Sequence, residues 1–97
     1  SGILFSLSEV NTKELVKILK EKRFNDMRKW VINNLDKEPS SLFTTIYDLM
    51  YSSLESNSIP KAVLIIAGYQ YKCAFVADQE INMVACLTEI MANCQFK

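Results

Sequence analysis

Three cysteines are the most reactive side chains of this 97-residue sequence, and they stand at Cys73, Cys86 and Cys94. Thiolates can bind metals or form disulfides, but metal-binding cysteines usually occur in closely spaced pairs such as CxxC. The spacings here are 13 and 8 residues and the count is odd. We therefore expect three small buried hydrophobic side chains in a reducing compartment, and no metal site.

Acid–base and nucleophilic catalysis have few candidates in this chain. The absence of His excludes a Ser-His-Asp triad and a Cys-His pair. Two glycines, Gly2 and Gly68, cannot build a phosphate-binding loop. The carboxylates Asp36, Glu38 and Asp48 belong to no apolar stripe and form no catalytic pair in the sequence pattern. We expect no catalytic residue, no cofactor and no enzymatic activity for this stretch of chain on its own.

Basic residues concentrate between Lys13 and Lys29, where seven of them meet three acids, while the rest of the chain has four basic residues and eight acids. The net charge of zero is thus the sum of +4 for residues 13–29 and −4 for the rest of the chain. Basic side chains near phosphates add salt-dependent attraction, which makes Lys20, Lys22 and Arg23 candidate phosphate contacts. Because acids interleave with them, a solvated helix face is the favoured interpretation. The alternative is an unrelated helical adaptor or nucleic-acid-binding domain that uses the basic Lys13–Lys29 face.

Apolar residues recur at helical spacing throughout, which predicts an all-α fold: one compact bundle of about five helices over residues 1–97. Residues of capping type predict where helices begin. Asn11 caps the first, a break around 23–25 precedes the second, Ser40 or Ser41 caps the third, Pro60 opens the fourth, and Asp78 caps a fifth that runs to about Asn93.

The last predicted helix has more apolar surface than a monomer requires. At 100° per residue its apolar side chains cover an arc of roughly 220°, whereas a surface helix needs little more than about 100°. Asn82, Glu89 and Asn93 form the narrow polar sector. Two explanations remain open at this point: the helix is central in the bundle, or one side meets another subunit.

The segment from Tyr71 to Ile81 resembles the helix–turn–helix junction near the end of small subunits of replication factor C-type clamp loaders. In that family a Tyr and a basic residue are followed by a small residue, an Asn or Asp cap and an aliphatic position, which correspond to Tyr71, Lys72, Ala77, Asp78 and Ile81. The similarity is greatest to the ATPase subunit of tailed-bacteriophage clamp loaders. Its domain opens with Gly-Ile-Leu and ends with a Cys, an aromatic residue and a Lys, as in Gly2-Ile3-Leu4 and in Cys94, Phe96 and Lys97.

This resemblance implies that the chain is the C-terminal collar domain of a longer AAA+ subunit, with Lys97 as its natural end. Such collars hold a five-subunit ATPase ring together in DNA replication. The implied partners are other clamp-loader subunits, with the sliding clamp and primer–template DNA reached only through the parent complex. The ATP site lies in preceding domains, and the implied location is the cytoplasm, that of the host cell for a phage protein.

The resemblance also directs the search for a subunit contact to the last two helices. The candidate interface residues are Tyr71, Lys72, Ile81, Val84 and Met91. No membrane contact is expected, since the longest unbroken apolar run, Ala62–Ala67, is far shorter than the roughly 20 residues of a membrane span.

Overall fold

The described part of the chain, residues 12–36 and 38–97 of a computed structural model, is an all-α bundle. Residues 12–20 are helical and are called α1. The other helices are α2 (Phe24–Asn34), α3 (Pro39–Ser53), α4 (Ile59–Lys72) and α5 (Gln79–Asn93), with a 3-10 turn at Ser56–Ser58. The predicted fold class is confirmed. The predicted cap Asn11 and the Gly2-Ile3-Leu4 segment lie outside the described residues.

The junction between α1 and α2 has the backbone pattern of a Schellman motif. The Arg23 amide donates to the Ile18 carbonyl at 3.0 Å, and the Lys22 amide donates to that of Leu19 at 3.1 Å. Lys22 has a φ of 57°, in the left-handed region that this motif requires and that glycine usually fills. The predicted break near residue 23 is therefore a tight, hydrogen-bonded turn.

Helix α5 begins where the sequence predicted it, and α3 does not begin as predicted. The Asp78 carboxylate accepts from the backbone amides of Glu80 and Ile81 at 2.9 and 3.4 Å, which satisfies two amides at the helix start. For α3 the predicted cap at Ser40 or Ser41 is wrong, because Pro39 already occupies the first turn and Glu38 is the N-cap residue. A proline fits there since its position needs no amide donor.

The core is built from one side of each helix. α5 packs against both α2 and α4, and α3 packs against α4. The buried apolar side chains are Leu15, Ile18, Leu19, Met27, Trp30, Val31, Leu42, Phe43, Ile46, Met50, Leu54, Ala62, Ile66, Met83, Cys86, Leu87, Ile90, Met91 and Cys94. Cys86 and Cys94 are free thiols within this core, as expected, while Cys73 is half-buried.

The last residues fasten the end of α5 to the connection between α3 and α4. Leu54 and Phe96 form an isolated antiparallel bridge, and the Lys97 amide donates to the Ser53 carbonyl at 3.0 Å. The Ser58 hydroxyl accepts from the Gln95 amide at 2.9 Å. These contacts fix the position of α5, whose outer side forms the surface described next.

Candidate docking surface

A wide apolar groove lies between α2 and α5 and has a volume of about 650 Å³. The α2/α5 groove is lined by Phe24, Arg28, Tyr69, Glu80, Ile81, Val84, Ala85, Thr88 and Glu89. Ile81 is 67% exposed and Phe24 is 46% exposed, although both are large apolar side chains. Positions 81, 84, 85 and 88 follow the i, i+3, i+4, i+7 spacing of one helix face. The groove is thus an apolar face of α5 that residues 12–36 and 38–97 leave uncovered.

Polar contacts hold the rim of the groove. Arg28 Nε lies 3.3 Å from Glu80 Oε2, which ties α2 to the first turn of α5. The Tyr69 hydroxyl donates to Glu89 Oε1 at 2.7 Å, which ties α4 to the last half of α5. This hydrogen bond, aided by partial burial, raises the pKa of Tyr69 to about 12. An apolar floor with a fixed polar rim is the usual composition of a protein–protein contact.

The central position of α5 in the bundle accounts for much of its large apolar arc. The helix is central enough to bury Met83, Cys86, Leu87, Ile90 and Met91, and it still leaves Ile81 at the surface. The polar sector of α5 does not lie wholly at the surface, which the helical wheel did not indicate. Asn82 is buried and donates through Nδ2 to the Tyr69 carbonyl at 3.1 Å.

The five predicted interface residues do not form one surface. Ile81 and Val84 line the α2/α5 groove. Met91 is only 8% exposed and belongs to the core, so its assignment to an interface is corrected: it packs inside its own domain. Tyr71 and Lys72 lie at the end of α4, outside the groove lining, and both are exposed.

The sequence interpretation missed several surface residues. Phe24 forms one wall of the groove but stands at a predicted helix break, where no periodicity pointed to it. Leu64 and Phe75 are 75% and 71% exposed, and Leu64 lies inside an apolar run that resembled core. Leu64 precedes Tyr71 by seven residues within α4, a helical spacing that could have placed these two residues on one face, whereas Phe75 lies in the turn after α4.

The candidate phosphate contacts lie at the α1–α2 junction and differ in their surroundings. Arg23 is bound by two carboxylates, with Nε 3.0 Å from Glu21 and a terminal nitrogen 3.1 Å from Asp26. Lys20 and Lys22 are exposed. The three candidate contacts are therefore two accessible lysines and one arginine whose charge is already balanced, and Lys13, Lys17 and Lys29 of the same basic segment are also exposed.

Cys86 and Cys94 are buried free thiols. Burial raises the pKa of the Cys86 thiol to about 12, so its nucleophilic thiolate is scarce at neutral pH. Burial also raises the pKa of Cys94. Across residues 12–36 and 38–97 no three Cys, Asp or Glu side chains group as metal ligands. In the same residues no helix is both long and apolar enough to cross a membrane.

Comparison of the chain with protein-family models and with curated proteins finds no match. The groove, the exposed residues of α4 and the resemblance of the sequence are therefore the observations that bear on function.

Proposed function

We propose that this chain is an oligomerisation module, the collar domain at the C-terminus of a sliding-clamp loader subunit. The observation that carries the proposal is the α2/α5 groove, in which a large aliphatic side chain, Ile81, is 67% exposed. Contiguous apolar surface of this kind on a small domain usually marks a protein contact. The sequence resemblance supplies the identity of the partner, a neighbouring subunit of the ATPase ring.

On this proposal the domain supplies a docking surface that holds the subunits together. Its core and rim contacts hold the groove rigid, so a neighbouring subunit meets a preformed surface and little entropy is lost on docking. ATP hydrolysis and contact with the clamp and primer–template DNA belong to the other domains of the parent subunit. The collar itself needs no cofactor, and its partners are the other subunits of a pentameric ring.

The substitution Ile81→Asp tests the proposal in the parent subunit mixed with its partner subunits. A carboxylate placed in an apolar contact must be desolvated without a counter-charge, which is strongly unfavourable. We expect the ring to dissociate, measured as a loss of assembly mass by light scattering. Because Ile81 is mostly exposed, far-UV circular dichroism should be unchanged.

Ile32→Asp is the matched control. Ile32 is also on a helix and 43% exposed, but it does not line the groove. The control subunit should assemble like the unchanged protein. A folded Ile81→Asp subunit that assembles as fully as the control would overturn the proposal.

A further inference from the structure

Residues 95–97 form a strap that joins the end of α5 to the connection between α3 and α4. The Glu55 amide donates to the Gln95 carbonyl at 2.9 Å, and the Lys97 amide donates at 3.0 Å to the carbonyl of the last residue of α3. A third hydrogen bond runs from the Gln95 amide to the Ser58 hydroxyl at 2.9 Å, between residues 37 positions apart in the chain. The strap therefore holds together two parts of the fold that are distant in sequence.

The strap also covers part of the core. Leu54 and Phe96 are the two residues of the isolated antiparallel bridge, which lies between the two backbone hydrogen bonds. Side chains directly opposite each other in an antiparallel pair lie on the same face and contact each other. Leu54 is fully buried, whereas Phe96 is half-buried and packs against the core. Phe96 thus lies over Leu54 on the outer side of the bundle.

The strap is held more weakly than the helices that it joins. Gln95 and Lys97 are exposed, as is Glu55 on the other side of the bridge, and the bridge belongs to no longer strand. The net free energy of three hydrogen bonds is similar in size to the backbone freedom that three residues regain on release. Segments with exposed hydrogen bonds and few buried apolar contacts open at low free energy.

We propose that the strap is a releasable connection, which opens as one unit while α1–α5 stay folded. When it is closed, it ties the end of α5 directly to the end of α3. When it opens, the amides of Glu55, Gln95 and Lys97, the three strap amides, lose their acceptors in the same event. The inference is independent of the proposed function, because none of these residues lines the α2/α5 groove.

Native-state amide hydrogen exchange tests the inference in the 97-residue chain, followed by NMR at several low urea concentrations. After correction for intrinsic rates, the three strap amides should give one common opening equilibrium that hardly changes with urea, because their opening exposes little surface. The Leu87 amide, in the middle of α5, should exchange at least about a hundredfold more slowly and respond steeply to urea, because its exchange requires unfolding of the bundle.

Two variants separate opening of the strap from unfolding of the bundle. Ser58→Ala removes the acceptor of the Gln95 amide and should speed exchange of all three strap amides by about fivefold or more. Ile18→Val is the matched control, since it truncates a buried side chain of α1. It should speed exchange of the Leu87 amide by about fivefold and leave the three strap amides unchanged.

Two results would overturn the inference. If the Glu55 amide is as protected as the Leu87 amide, or opens with a different equilibrium from the other two strap amides, the strap does not open as one unit. If Ile18→Val speeds the strap amides as much as it speeds Leu87, these amides exchange only when the whole bundle unfolds.

Discussion

Tyr69 is the residue at which α4, α5 and the groove meet. Its hydroxyl donates to Glu89 at 2.7 Å, and its carbonyl accepts from Asn82 at 3.1 Å. The Lys72 ammonium lies 4.7 Å from the centroid of its ring. The hydrogen bond to Glu89 requires a neutral phenol, because a phenolate beside a carboxylate would be repelled. The contact between α4 and α5 at this point therefore depends on the Tyr69 hydroxyl remaining protonated.

The titration of Tyr69 provides a prediction at the level of one residue. Its pKa of about 12 lies above the ordinary value of 10.0, so the folded protein holds this proton more tightly than the unfolded chain. The stability that it contributes is complete below pH 10 and is lost as the pH rises toward 12. Alkaline absorbance titration of the chain and of Tyr69→Phe should give a difference curve with its midpoint near 12. A difference curve centred on 10 would contradict the hydrogen bond to Glu89.

Adjacent residues of α5 show that the sequence could not predict which side chains of this helix are exposed. A helical wheel predicts an apolar arc, but neighbouring helices determine which part of it they cover. Ile81, in the apolar arc, is exposed, whereas Asn82, in the polar sector, is buried because the Tyr69 carbonyl accepts its amide hydrogen bond. Met91 is buried on the same helix. The existence of a surplus apolar surface was predictable, and its location required the tertiary contacts.

Helix ends were predictable where a side chain supplies the cap and not where the backbone does so. Asp78 was identified because its carboxylate can accept from amides two and three residues later. Ser40 was misassigned because it also is a good capping residue, yet its hydroxyl donates to Glu38 Oε1 at 2.6 Å. The left-handed residue after α1 could not be predicted, because a lysine fills the position where glycine is the usual signal.

The junction between α1 and α2 yields a prediction at the level of the helix. Lys22 has a φ of 57°, which is unfavourable for a residue with a Cβ. We expect Lys22→Gly to stabilise the domain by about 1 kcal/mol, since the backbone hydrogen bonds of the turn remain and the strain is relieved. Lys17→Gly, at an exposed position inside α1, should destabilise it by about 1 kcal/mol. Urea unfolding measures both, and a loss of stability in Lys22→Gly would show that its left-handed backbone is not strained.

Charge is segregated across the molecule even though it sums to zero. Residues 13–29 carry a net +4 and the remainder a net −4. Part of the basic excess is used internally, because Arg23 contacts Glu21 and Asp26 and Arg28 contacts Glu80. These pairs keep guanidinium groups near carboxylates that would repel a phosphate backbone. The basic half of the molecule is thus weaker as an anion-binding surface than its composition indicates.

Salt dependence distinguishes the proposed collar function from nucleic-acid binding through the basic face. Each phosphate neutralised in duplex DNA adds about −0.9 to the slope of log K against log salt. If DNA binding uses only the candidate contacts Lys20 and Lys22, its slope at low salt should be no steeper than about −2. The double variant Lys20→Gln, Lys22→Gln should abolish it, while Lys61→Gln, on α4, should not. A slope near about −5 would mean that the other lysines of the segment also bind phosphate, and the nucleic-acid interpretation would then be favoured.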